Sequence, residues 1–83
     1  MSELGKIPHY APPVKRSVLI AGHQTSISLE PLFWRALETA ARKRQVPVNA
    51  LVARIDAERL DADHVPNLTS AIRQWLFARG LGG

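Results

Sequence analysis

The sequence predicts a mainly α-helical domain preceded by a short β-strand. Three observations predict it. Thr25, Ile27 and Leu29 alternate with Gln24, Ser26 and Ser28, and a period of two with β-branched residues is the pattern of a half-buried strand. Two stretches with apolar residues at helical spacing follow, separated by only a few residues. A third such stretch opens at Asn67 and runs to the glycines at the end.

Taking the chain in order, residues 1–14 hold Gly5, Pro8, Pro12 and Pro13 without an apolar period and are expected to form a flexible or extended arm. Lys15 and Arg16 close it with positive charge. Val18 and Ile20 are also two apart, but in opposite parity to Thr25, Ile27 and Leu29. Gly22 lies between the two sets, so residues 17–29 read either as one strand broken by a bulge or as two strands. Pro31 suits a first helical turn, where its missing N–H would have had no partner. Phe33, Leu37, Ala40 and Arg44, with Trp34 and Ala41 beside them, place an amphipathic helix over about residues 31–44. Its last turn carries Arg42, Lys43 and Arg44, which complement the negative end of the helix dipole. Past Gln45-Val46-Pro47, a second helix is expected from Val48 with Leu51, Val52, Ile55 and Leu60 on its apolar face, broken over residues 61–66. Asn67 is a suitable N-cap for the third helix, whose stripe is Leu68, Ala71, Ile72, Trp75 and Leu76.

Size and charge bound the function. With 83 residues and no cysteine, the chain has a marginal core and no disulfide or thiolate metal site. A partner chain is then the expected way to complete that core. The net charge of +4 favours a polyanionic partner. The positive excess lies in the first half: residues 25–54 hold five Lys/Arg against two acids, and residues 55–83 hold three against four. No apolar run is longer than that of Val18 to Ala21, which is far short of the roughly 20 residues of a membrane helix. No membrane contact is expected, and a cytoplasmic location is. His9, His23 and His64 share no metal-ligand spacing, no nucleophile stands beside a base, and no glycine-rich phosphate loop is present. The expectation is a protein without catalysis, cofactor or metal. Asp56 edges the apolar face of the second helix and is expected to pair with an arginine.

The order strand, helix, short turn, helix carries a resemblance. Thr25-Ser26-Ile27-Ser28-Leu29-Glu30-Pro31-Leu32-Phe33-Trp34-Arg35-Ala36-Leu37 resembles the ribbon-helix-helix family, which includes the Arc and Met repressors, and Pro47-Val48-Asn49-Ala50-Leu51-Val52 is similar to the start of that family's second helix. More narrowly, Gly22-His23-Gln24-Thr25-Ser26, Leu29-Glu30, Phe33-Trp34 and Asn67-Leu68-Thr69-Ser70-Ala71-Ile72-Arg73 look like a bacterial subfamily of uncharacterised role. The resemblance covers about residues 15–76.

It implies an intertwined homodimer whose strands, one from each chain, form an antiparallel β-ribbon, with the third helix added at the C-terminus. The division that follows is an arm over 1–14, the ribbon-helix-helix domain over 15–60, and a linker with a C-terminal helix over 61–83 that packs on or extends the domain. The implied function is DNA binding, as a transcriptional regulator that lays the ribbon in the major groove of double-stranded DNA. Gln24, Ser26 and Ser28 would meet base edges. Lys15, Arg16 and the N–H groups of Val48 and Asn49 would meet phosphates. Ile27, Leu29, Phe33, Trp34, Leu37, Leu51 and Ile55 would form the dimer core, and higher oligomers on DNA are part of the same expectation. An interaction module of antitoxin or scaffold type, using the third helix as its protein-binding surface, is the other reading. Against the family pattern, Ser26 and Ser28 are short readers of bases, and Pro47 removes one N–H near the phosphate position.

Overall fold

The computed structural model describes residues 10–80. Two strands, β1 (Val14–Ile20) and β2 (His23–Leu29), are followed by α1 (Pro31–Lys43), α2 (Val48–Leu60) and α3 (Leu68–Trp75), with a π-helical turn over Leu76–Gly80. The arm expected over residues 1–14 lies mostly outside the described residues; its last member, Val14, already belongs to β1.

Residues 17–29 hold two strands and not one. They pair antiparallel within one chain, in a register that runs from Val14 opposite Leu29 to Ile20 opposite His23. Ala21 and Gly22 make the turn with φ of 50° and 82°. Positive φ at both central residues is the two-residue hairpin turn whose twist matches that of the strands. A Cβ placed on Gly22 would meet nothing within 4 Å. Its backbone angle, and not crowding, is therefore what favours glycine there. Residues directly opposite in an antiparallel pair share a face. Val18 and Ile20 therefore join Ile27 and Leu29 on the inner face, and all four are buried.

The helices begin and end for local reasons. Pro31 stands at the start of α1, as expected. At its end Gln45 takes a left-handed φ of 58°. Val46 N–H then reaches back to Ala41 O and Gln45 N–H to Arg42 O, both near 3 Å, which satisfies carbonyls the helix leaves open. Asn67 caps α3 as expected, its side chain accepting from Ser70 N–H at 2.8 Å. Leu60 departs from expectation and is 58% exposed. It lies five residues past Ile55, roughly 140° round the helix at 3.6 residues per turn, and so leaves the apolar face.

One core gathers the hairpin's inner face and all three helices. Leu29, Leu37, Leu51, Val52, Ile72 and Leu76 have no solvent exposure. Asp56 has the arginine partner expected for it: Arg59 donates through Nε at 3.0 Å and Nη2 at 2.7 Å to Oδ1, while its Nη1 reaches Pro66 O at 3.1 Å. That arginine ties the α2–α3 loop to α2.

A second arginine joins α3 to the start of α1. Arg73 of α3 donates to both carboxylate oxygens of Glu30, the residue before α1, at 2.9 and 3.1 Å. These bonds, first the Arg73 side chain and then Glu30's own backbone N–H, hold the Glu30 carboxyl below its ordinary pKa. A carboxyl depressed on folding stabilises the fold above its unfolded pKa, and the effect is lost as pH falls through the folded value. The gap in urea midpoint between the native chain and Glu30→Gln is therefore expected to shrink as pH drops from about 5 to about 3. A gap that widens on acidification would contradict it.

Candidate nucleic-acid interface

The register of the hairpin builds a second face from the residues that do not face the core. Lys15, Ser17 and Leu19 come from β1, and Gln24, Ser26 and Ser28 from β2, as the opposed pairs Lys15–Ser28, Ser17–Ser26 and Leu19–Gln24. All are exposed except Ser28, which is half-buried. Ser17 Oγ donates to Gln24 Oε1 at 2.6 Å across the strands. The face is a two-stranded polar ribbon with one cation at its open end and one leucine beside the turn.

Gln24, Ser26 and Ser28 thus sit side by side on the outer face of β2, and Lys15 joins them there. Arg16 does not. It belongs to the inner parity, leans toward α1, pairs with Glu38 at 2.9 Å and lies 4.6 Å over the Trp34 ring. Ser17 and Leu19 are members of the face that the sequence reading does not single out. The signal that reveals them is the parity change between Val18/Ile20 and Ile27/Leu29, which is what a two-residue turn imposes on a ladder.

Val48 and Asn49 begin α2. Pro47 O receives the N–H of Ala50 and of Leu51, so the N–H groups of Val48 and Asn49 have no acceptor among the described residues. The connection before them starts from Arg42, Lys43 and Arg44. Arg44 is partly committed, with Nη1 on Ala40 O at 3.1 Å and its guanidinium 4.8 Å over Trp75. The ion pairs among the described residues use Arg16, Arg59, Arg73 and Arg79. Lys15, Arg35, Arg42, Lys43 and Arg54, all exposed, stand outside them. Their charge falls on the hairpin, on α1 and on α2, and little of it is neutralised.

Of the residues expected between chains, Ile27, Leu29, Trp34, Leu37, Leu51 and Ile55 are buried inside one chain. Phe33 is partly buried, with Arg73 5.5 Å over its ring. The apolar stripe of α3 is likewise used internally: Ile72 and Leu76 are fully buried and Trp75 is 9% exposed. Among the described residues of that segment, Phe77 is the large apolar side chain left exposed, at 80%, beside the exposed Gln74, Ala78 and Arg79. A shallow groove of about 240 Å³ between α2 and α3, floored by Trp75 and Ile55, is smaller than the roughly 300 Å³ of ordinary ligand pockets. Among the described residues no group of His, Asp or Glu could hold a metal ion, and no helix is long and apolar enough to cross a membrane.

Comparison with known proteins agrees with this architecture. The family model described as "Ribbon-helix-helix domain" matches residues 13–79. An uncharacterized protein from Bordetella pertussis Tohama I is similar in structure, with a TM-score of 0.60 and 33% sequence identity over 82% of this chain. The chain spans 60% of that protein's length. No protein of curated function matches. Ribbon-helix-helix domains are in general a DNA-binding regulator family, typically non-enzymatic and acting as dimers. With its strand ladder, its successive helices and a match over most of its length, this chain belongs to the ribbon-helix-helix domain family.

Proposed function

We propose that the protein binds double-stranded DNA as a transcriptional regulator, with the outer face of its own β1–β2 hairpin in the major groove. One observation carries the reading: a single chain presents a two-stranded ribbon, polar outside and buried inside. Strands in such a ribbon are roughly 4.8 Å apart, and the major groove, about 12 Å wide, admits two of them. Gln24, Ser26 and Ser28 are the base-facing groups. Lys15 and the Val48 and Asn49 N–H groups are assigned to phosphates, with Arg42 and Lys43 adding charge close to the latter in the chain. Arg16 is withdrawn from that role because Glu38 and Trp34 engage it.

Fluorescence anisotropy with duplex DNA tests the reading. Binding is expected to weaken steeply with salt, and Lys15→Ala is expected to lower the salt slope by about 1. Gln24→Ala is expected to cost about 1–3 kcal/mol on a preferred sequence. Undetectable duplex binding at about 50 mM salt would end the proposal.

A second reading concerns assembly. In a ladder closed by a two-residue turn, alternate residues bond across it, and Gln24, Ser26 and Ser28 turn their backbone groups to the open edge of β2. A second β2 seated there about Ser26 would give a homodimer with all its polar side chains on one face. Such a dimer would dissociate in Ser26→Pro, since proline is tolerated on an edge but cannot donate to a new strand. Under the single-chain ribbon, Ser26→Pro leaves the mass in solution unchanged.

A further inference from the structure

We propose that the outer face favours A·T pairs, with two β1 residues setting the preference: Leu19 as the contact for the thymine methyl, and Ser17 as the positioning residue for Gln24. This rests on the DNA-binding reading above. Leu19 is 44% exposed on a face otherwise made of polar groups. It stands directly opposite Gln24, and opposed side chains in an antiparallel pair begin about 5 Å apart. An apolar group and an amide are thus offered together to the same or neighbouring base pairs.

The amide is already oriented. Ser17 Oγ donates to Gln24 Oε1 at 2.6 Å, which ties Oε1 to β1 and leaves the Nε2 hydrogens uncommitted to any acceptor among the described residues. A carbonyl oxygen has a second lone pair. Adenine presents N7 as acceptor and its N6 amino group as donor in the major groove, whereas guanine presents two acceptors, N7 and O6. An amide held this way matches adenine at both atoms, while against guanine its oxygen meets another acceptor. Thymine, adenine's partner, supplies the only methyl group in that groove, and Leu19 is the one apolar side chain on the ribbon's outer face.

The test uses the full chain and three duplexes: alternating dA–dT, alternating dA–dU, which lacks only the thymine methyl, and alternating dG–dC. The native chain is expected to bind dA–dT about fourfold more tightly than dA–dU, the affinity equivalent of burying one carbon. It is expected to bind dG–dC weaker than dA–dU by about fivefold or more. Leu19→Ala should bind dA–dT and dA–dU alike. Ser17→Ala should narrow the gap between dA–dU and dG–dC and leave the dT to dU ratio in place. Both side chains are solvent-exposed, and circular dichroism checks that the variants remain folded. Equal affinity of the native chain for dA–dT and dA–dU would overturn the inference without any variant. A dT to dU ratio that persists in Leu19→Ala, or a dA–dU to dG–dC gap unmoved in Ser17→Ala, would overturn the role given to that residue. Binding to none of the three duplexes would instead remove the DNA-binding reading, and the inference with it.

Discussion

Trp34→Ala is expected to lower the unfolding free energy by about 3–5 kcal/mol, a large share of what a domain of this size has. Three contributions meet at this residue. Its ring is 2% exposed in the middle of the core. Its indole N–H donates to Val14 O at 2.8 Å, so the side chain fastens the first residue of β1 to α1. Its face carries the Arg16 guanidinium, which Glu38 holds from the other side. Truncation to alanine empties the core and frees the start of the hairpin together. Trp34→Phe separates the two effects. It keeps an aromatic body under Arg16 but has no N–H, and is expected to cost nearer 1 kcal/mol from the lost bond, plus a packing loss. Urea denaturation followed by circular dichroism measures both variants. A Trp34→Ala midpoint within error of the native one would show that the ring is not part of the cooperative unit.

The second large effect concerns α3. A chain ending at Asp63 is expected to lose cooperative unfolding. Ile72 and Leu76 are wholly buried, and Ala71 and Trp75 nearly so. Burying one such aliphatic side chain contributes about 1.5–3 kcal/mol, so Ile72 and Leu76 alone approach the stability of a small domain. The ion pairs Glu30–Arg73 and Glu58–Arg79 would go with them. The milder variant Ile72→Ala is expected to cost about 2–5 kcal/mol. In the shortened chain, helicity should fall by more than α3 itself contributes. A truncated chain that unfolds cooperatively at the native midpoint would instead show α3 to be an appendage.

Much of this is legible in the residues. Pro31, Asn67 and the apolar spacings mark where the helices start and which faces they bury, because caps and periodicity are local. The partner of Asp56 is legible in kind, since a carboxylate at the edge of an apolar face calls for a cation. The hairpin is harder. The pair Ala21-Gly22 is a weaker turn signal than Asn-Gly, and Lys15-Arg16-Ser17 shows no apolar alternation ahead of Val18. The parity change across Gly22 contains the answer, but only once an antiparallel register is assumed. From that register also follow the inward turn of Arg16 and the outward turn of Ser17 and Leu19. A short core with no cysteine points to a second chain, and the family pattern reinforces it. Here β1 and α3 supply cover for the core from within the chain.

The tight bend at Ala21 and Gly22 also bears on how the molecule comes to be. Every rung of the ladder joins positions no more than 15 residues apart, the span from Val14 to Leu29. Hairpins of this kind zip from the bend outward in about 1–10 μs, and proteins rich in such low-contact-order pairings fold fast. The ribbon can therefore assemble before the helices dock beneath it. Since both strands belong to one polypeptide, its rate of appearance has no reason to depend on how dilute the protein is.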